Sequence, residues 1–381
     1  FYGGYIGVHT GLIANAETES QLASVLGHEI AHVTQRHLAR RKEASAQTSN
    51  MTLAGIVGSI LLAAISPQAM MASMMATTAG SQQAMINYTR SNEQEADNIG
   101  MNVLATAGFD PYAAAEFFGK LQEQQRYQTK LAPFLITHPL ADSRVTDAKL
   151  RAQQYTKKFY ADSIDFLLMR ARILARYIYD KEKVVELFQD LVKKQHGNKQ
   201  FASQYGLALA YLDTGKLSLA AALLDELDQL SPNNLYVLDA QSDLYIAQGK
   251  PDKIIEKLTY AYQLRPNNSV VTLNYANVLL KSNNTKKAIS ILEYYLLVKP
   301  RDFLATQLLS DAYKADENLI RYHITSAELS ALRSDYRSAM KSVDLALNLL
   351  TAEQKAEVKR IEALKIKYRE RDKYIKNIKG F

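Results

Sequence analysis

Two histidines four residues apart flank a glutamate in the run His28-Glu29-Ile30-Ala31-His32. On a helix that spacing sends both imidazoles out of one face, where they can share a metal ion. Glu29 lies about 100° round the axis, within reach of a water that the ion would acidify toward a pKa of about 7. Such a carboxylate takes the proton as the water attacks a peptide carbonyl, then passes it to the leaving amine. The chemistry indicated is peptide hydrolysis, and it needs a third ligand.

The chain contains no Cys, so disulfides and thiolate sites are excluded and any metal must be held by His and carboxylate. That donor set at a hydrolytic site points to zinc, one ion per chain. His37 follows His32 by five residues with no Gly between them, which departs from the metzincin pattern; it reads as an exposed polar residue near the helix end. Ser91-Asn92-Glu93-Gln94-Glu95-Ala96-Asp97 offers more, because Glu93 and Asp97 are four apart and share a helix face. Glu93 reads as the third ligand. Asp97 would accept a hydrogen bond from the free N–H of a ligand histidine and orient its ring. Glu95 points elsewhere and reads as a solvated acid.

His138 precedes Pro139, which biases it out of helix and into an extended loop. A lone loop histidine is ordinarily solvated. Arg144, in the same segment, has three readings: steadying an oxyanion, orienting Asp97, or forming a surface ion pair.

These residues need elements to hold them. Thr18 followed by Gln21 is a capping-box pattern, and Leu22, Val25, Leu26, Ile30 and Val33 recur at helical spacing, so a helix is expected from about Glu19 to Arg41. The Gly-punctuated stretch from Gly3 to Ile13 reads as a strand or small hairpin. An edge strand near Ile6 to Thr10 could dock substrate by backbone pairing. Between Ala44 and Thr89 there is no charged residue, and six of the nine Met fall there. Its continuous apolar part, Met51 to Ile65, is short for a membrane span, which needs roughly 20 residues. A membrane-touching or substrate-covering helical flap, a buried hairpin and a true span are the three readings.

Beyond about Thr156 amphipathic helices recur with a period. Pro232, Pro266 and Pro300 lie 34 residues apart, the tetratricopeptide spacing. Tyr211, Tyr245 and Tyr313 share one phase; Gly215, Gly249 and Asn283 fall at turns; Ala220 and Ala288 stand where helices pack closest. Ile254 replaces the small residue in one repeat, and after Tyr313 the phase slips, leaving Arg321 to Leu350 as a divergent pair. Lys355 to Lys379 reads as a charged capping helix. Stacked repeats build a solenoid whose concave face binds protein.

The expected organisation is mainly α: a zincin-like metalloprotease domain with a small β element over residues 1 to 153, carrying the apolar flap at about 44–89, then an α-solenoid of tetratricopeptide repeats over 157 to 381. The net charge of +7 is spread and mixed with acids, without a recognition motif, so nucleic acid is not an expected partner.

The HExxH run with ExxxD far downstream resembles the HtpX-like peptidases. Gly-Gly-Tyr-Ile before the helix, Asn-Glu-Gln-Glu-Ala-Asp-Asn-Ile-Gly after it, Ala107-Gly108-Phe109-Asp110-Pro111, Thr137-His138-Pro139-Leu140 and the repeats extend the resemblance over nearly the whole chain, to the repeat-bearing members that act in outer-membrane protein assembly. The resemblance implies a periplasmic enzyme, possible membrane contact, degradation of misassembled outer-membrane proteins, assistance to their assembly, and repeats that meet the barrel-assembly machinery. It also implies that His138 can occupy the fourth zinc position and gate the site. A rival reading is a chaperone or scaffold with a latent protease site; another is an integral-membrane HtpX-type protease.

Overall fold

The computed structural model describes residues 4–62, 66–127, 138–140, 142–351 and 354–379, and among them every regular element is helical. The small β element is therefore not formed there. Residues 5–9 are without regular structure, and Thr10–Asn15 is a short helix, α1. A lone strand leaves its backbone groups without partners. Leu12 and Ile13 instead pack beside Ala16, Leu22 and Phe166, so burial favours helix over the β propensity of the sequence.

Helix α2 (Glu19–Thr34) begins where the capping pattern predicts, with the Thr18 hydroxyl accepting the Gln21 amide proton at 3.2 Å. It does not run on to Arg41. Arg36 takes a left-handed φ of 55°, and the chain restarts in a new direction as α3 (His37–Leu62). Helix α4 (Pro67–Thr106) opens with Ser66 as cap and Pro67 in its first turn, where proline's missing N–H costs nothing.

Helices α3 and α4 form an antiparallel hairpin along a seam of small and hydroxyl residues. Ser59 bonds the Gly55 carbonyl at 2.7 Å and the Ser73 hydroxyl at 2.8 Å, and Gly55 lies directly against Thr77. Met51, Leu53, Val57, Leu61, Met71 and Met75 are exposed, Met51 to 75%. The buried-hairpin reading is thus overturned: among the described residues between Ala44 and Thr89 only Ser59 is buried, and Ile56, Met70, Met74 and Met85 are no more than half-buried beside the hydroxyls. Among the described residues, no helix is long and apolar enough to cross a membrane.

Helix α5 (Tyr112–Tyr127) and helix α6 (Asp142–Ala152) close the core behind α2 and α4, with Val25, Met101, Phe117, Phe118, Leu121, Val145 and Ala148 in one cluster. Helix α7 (Ile164–Ile173) ends in a π-helical turn, Leu174–Ile178. Its N-terminus and that of α2 cap each other: the Glu19 amide donates to Asp162 Oδ1 at 2.7 Å, and the Ser163 amide to Glu19 Oε2 at 2.7 Å.

The chain divides into two compact units, one running to Asp180 and taking in Gln195–Ala202, the other made of Lys181–Lys194 and the residues from Ser203 on. The first unit extends past the change of texture near Thr156 and includes α7. In the second unit helices alternate as α8 (Lys181–Lys194), α9 (Gly197–Asp213, shared with the first unit), α10 (Leu217–Leu230), α11 (Leu235–Ala247), a 3₁₀ turn at Pro251–Ile254, α12 (Ile255–Leu264), α13 (Ser269–Lys281), α14 (Thr285–Val298), α15 (Phe303–Ala315), α16 (Leu319–Leu332), α17 (Tyr336–Asn348) and α18 (Lys355–Lys379). Gly215, Gly249 and Asn283 take left-handed φ at the turns, and so does Glu317, again 34 residues on. The period therefore persists one turn beyond the point where residue types cease to signal it. Ala220, Ile254 and Ala288 are all buried. Ile361 and Tyr368 of α18 pack onto α16 and α17, so this charged helix caps the last apolar face.

Candidate metal centre

Helices α2 and α4 cross at two glycines. A Cβ on Gly27 would lie 2.9 Å from the Gly100 carbonyl oxygen, and one on Gly100 would lie 2.9 Å from the His28 amide nitrogen. Backbone touches backbone there, and this close approach sets His28, Glu29 and His32 of α2 opposite Glu93 and Asp97 of α4.

His28, His32, Glu93 and His138 each turn a ligand atom toward one point, the four atoms lying within 4.8 Å of one another. His28 Nε2 is 3.0 Å from His32 Nε2, 3.3 Å from His138 Nδ1 and 3.4 Å from Glu93 Oε2. Glu93 Oε1 is 3.4 Å from His32 Nε2 and 3.1 Å from His138 Nδ1. Four ligands each at about 2.0–2.1 Å from a tetrahedral zinc have edges of about 3.3 Å. The contacts of 3.0–3.4 Å lie close to that edge, and the three-nitrogen, one-carboxylate donor set fits that ion. Glu29 stands beside the group, its Oε1 3.2 Å from His138 Nε2. Both line a cleft of about 500 Å³ with Tyr5, Ile6, His32 and Asn92.

The electrostatics follow from burial and pairing. Burial favours a neutral His28, but Asp97 and Glu93 outweigh it and push its pKa to about 9. Burial opposes the charge on Glu93, and the surrounding imidazoles of His138, His28 and His32 overcome it, holding the carboxyl far below its usual range. Asp97 is opposed by burial and then pulled down by His28 and Arg144.

Asp97 lies behind His28, its Oδ1 2.9 Å from Nδ1. Arg144 forks onto Asp97 through Nε at 2.7 Å and Nη2 at 2.8 Å, donates from Nη1 to the Pro139 carbonyl at 2.9 Å, and sits 2.9 Å from Glu93. It stacks over Phe118 and is buried, so it is not a surface ion pair. It does not line the cleft, which favours the Asp97-orienting reading over the oxyanion one. Through Pro139 it also holds the backbone next to His138.

Of two residues read as bystanders, His37 lies elsewhere than expected, and Glu95 stays half-exposed but is paired. His37 is 4% exposed, with its Nδ1 2.7 Å from His32 Nδ1. Glu95 is bonded to His37 at 3.2 Å and Arg40 at 3.1 Å. The break at Arg36 brings His37 and Arg40 to these partners. In an unbroken helix, residue 37 would stand about 140° round from His32, on another face. No local pattern announces a left-handed arginine.

The model of Peptidase family M48 matches residues 1–152, and that of the tetratricopeptide repeat matches residues 245–312. The Beta-barrel assembly-enhancing protease of Escherichia coli is 38% identical over 352 residues, covering 92% of this chain and 71% of that protein. Its Vibrio cholerae counterpart is 44% identical over 351 residues, covering 92% and 72%. Mitochondrial metalloendopeptidase OMA1 of Arabidopsis thaliana is 32% identical over 150 residues, covering 39% of this chain and 27% of its own.

Proposed function

The chain belongs to the beta-barrel assembly-enhancing proteases, metallopeptidases of family M48, and from that premise we propose that it is a zinc endopeptidase of the bacterial periplasm that removes misassembled outer-membrane proteins and assists their assembly. The observation that carries the catalytic part is the convergence of ligand atoms from His28, His32, Glu93 and His138 to within 4.8 Å of one another, with Glu29 alongside. Those four residues would hold the ion. Bound zinc would supply Lewis acidity toward a peptide carbonyl and toward the attacking water.

The protein's own groups do the rest. Glu29 takes the proton of the attacking water and delivers it to the leaving amine. Asp97 and Arg144 keep the His28 ring in its ligating orientation. His138, held between Glu93 and Glu29, occupies the position that water needs, so its loop must lift before Glu29 can act. The resting enzyme is then latent, and binding of substrate or partner releases it. The repeats recruit clients or the barrel-assembly machinery, a role supported by their solenoid architecture. The exposed apolar side of the α3–α4 hairpin suits apolar client segments, with peripheral membrane contact as a second use.

The test combines metal content with casein cleavage for wild type, Glu29→Gln and His138→Ala. One zinc per chain, weak wild-type cleavage, a loss of about 10²–10⁴-fold in Glu29→Gln and faster cleavage in His138→Ala are the expected results. Equal or slower cleavage in His138→Ala would remove the gate. Zinc without cleavage in any variant would favour the alternative, a scaffold for outer-membrane protein assembly with a closed site; the filled fourth position is what recommends it. Osmotic-shock release tests the location, and carbonate extraction tests the membrane contact.

A further inference from the structure

His28 and His32 both turn Nε2 toward the metal group, so each has a rear nitrogen to satisfy. Behind His28 the sequence runs Asp97, then Arg144. Behind His32 a second series leads to the surface through residues with no part in the reading above: His37 Nδ1 at 2.7 Å, Glu95 Oε2 at 3.2 Å from His37 Nε2, and Arg40 Nη1 at 3.1 Å from the same oxygen. Both series end on an arginine.

The hydrogen count allows one arrangement. A neutral histidine that ligates through Nε2 keeps its proton on Nδ1. That proton points at His37 Nδ1, which can accept it only if His37 carries its own proton on Nε2. The Nε2–H then donates to Glu95, whose charge Arg40 balances. A hydrogen bond of 2.7 Å between the buried His37 ring and the half-buried His32 ring restricts the rotation of both.

The backbone supports the same conclusion. A left-handed residue other than Gly costs roughly 1–2 kcal/mol, and Arg36 adopts that conformation directly before His37. The turn swings His37 back beneath His32, and α3 then carries Arg40 one turn onward to Glu95. Such strain persists where the surrounding structure demands it.

We propose that His37, Glu95 and Arg40 are a positioning relay that selects the Nδ1-protonated tautomer of His32 and aims its Nε2 at the metal, a role that rests on the zinc reading above. His37 is the central member because it alone touches both a ligand and the carboxylate. The relay accounts for a buried histidine that the ligand set alone leaves without a purpose.

The test is zinc affinity of the full chain by chelator competition, with thermal denaturation of the metal-free proteins alongside. His37→Leu keeps bulk but no hydrogen bond, and should weaken zinc binding by roughly 10–100-fold. His37→Asn keeps an acceptor toward His32 and a donor toward Glu95, and should recover most of that loss. Glu95→Ala, a change on the half-exposed end that spares the core, should lose affinity in the same direction by several-fold. Metal-free melting should not follow this order. Wild-type affinity in His37→Leu or in Glu95→Ala would overturn the relay, as would His37→Asn binding as weakly as His37→Leu. Absence of zinc from the wild type would remove the metal reading itself, and the relay with it.

Discussion

His28 is the residue on which proton and metal compete. In the metal-free chain Asp97 and Glu93 overcome burial and push its pKa to about 9, so a metal ion taken up at neutral pH would have to displace a proton from this ring. Apparent zinc affinity should therefore rise with pH between 6 and 8, by about tenfold per unit for one displaced proton. Chelator competition across that range measures it, and a flat profile would contradict the electrostatics described. Asp97 makes the complementary prediction for stability. Its folded pKa is depressed, so its contribution is present above the ordinary carboxylate value of 3.8 and is lost as pH falls through the folded value. Melting temperatures of metal-free wild type and Asp97→Asn should differ at pH 6 and draw together in strong acid.

At the scale of elements, the α2–α4 crossing governs the site. Gly100→Ala would set a Cβ 2.9 Å from the His28 amide nitrogen, a backbone atom with nowhere to go. The helices must separate by some tenths of an ångström, at a cost of about 1–3 kcal/mol, and zinc affinity should fall because His28 moves relative to Glu93. Gly58 lies mid-helix in α3 with nothing within 4 Å of its would-be Cβ. Gly58→Ala should stabilise by up to about 1 kcal/mol. Opposite signs for the two substitutions in metal-free melting are expected; like signs would mean the close approach is not what the crossing depends on. The α3–α4 hairpin leaves a row of large apolar side chains, Leu61 and Met75 among them, exposed. Leu61→Asp with Met75→Asp should leave zinc binding unchanged while slowing cleavage of an unfolded apolar client more than that of a short soluble peptide. Equal effects on both substrates would deny the hairpin a role in client capture.

The whole molecule consists of two compact units, each with its own apolar clusters. The metal centre lies wholly in the first. A ligand that binds only the native state stabilises by about 4.1 kcal/mol when present at 1,000 times its dissociation constant. Calorimetry should then resolve two transitions, of which chelation lowers only the one belonging to the peptidase unit. A single transition that shifts as a whole on chelation would show that the units unfold together.

What the sequence determined by itself is what local geometry dictates. An i, i+4 pair shares a helix face wherever the helix lies, so His28 with His32 and Glu93 with Asp97 were legible as half-sites. The cap at Thr18 and the 34-residue period were legible for the same reason, each resting on contacts within a turn or a repeat. Tertiary structure alone decided the rest. His37 read as exposed because nothing in its neighbours foretells the left-handed Arg36, and its partner Glu95 lies 58 residues away. The strand expected near Ile6 failed because pairing needs a neighbour that the local sequence cannot supply. Arg144 kept three readings until the fold buried it between Asp97, Glu93 and the Pro139 carbonyl. A side chain's chemistry is set by what surrounds it, and residues distant in the chain supply most of those surroundings.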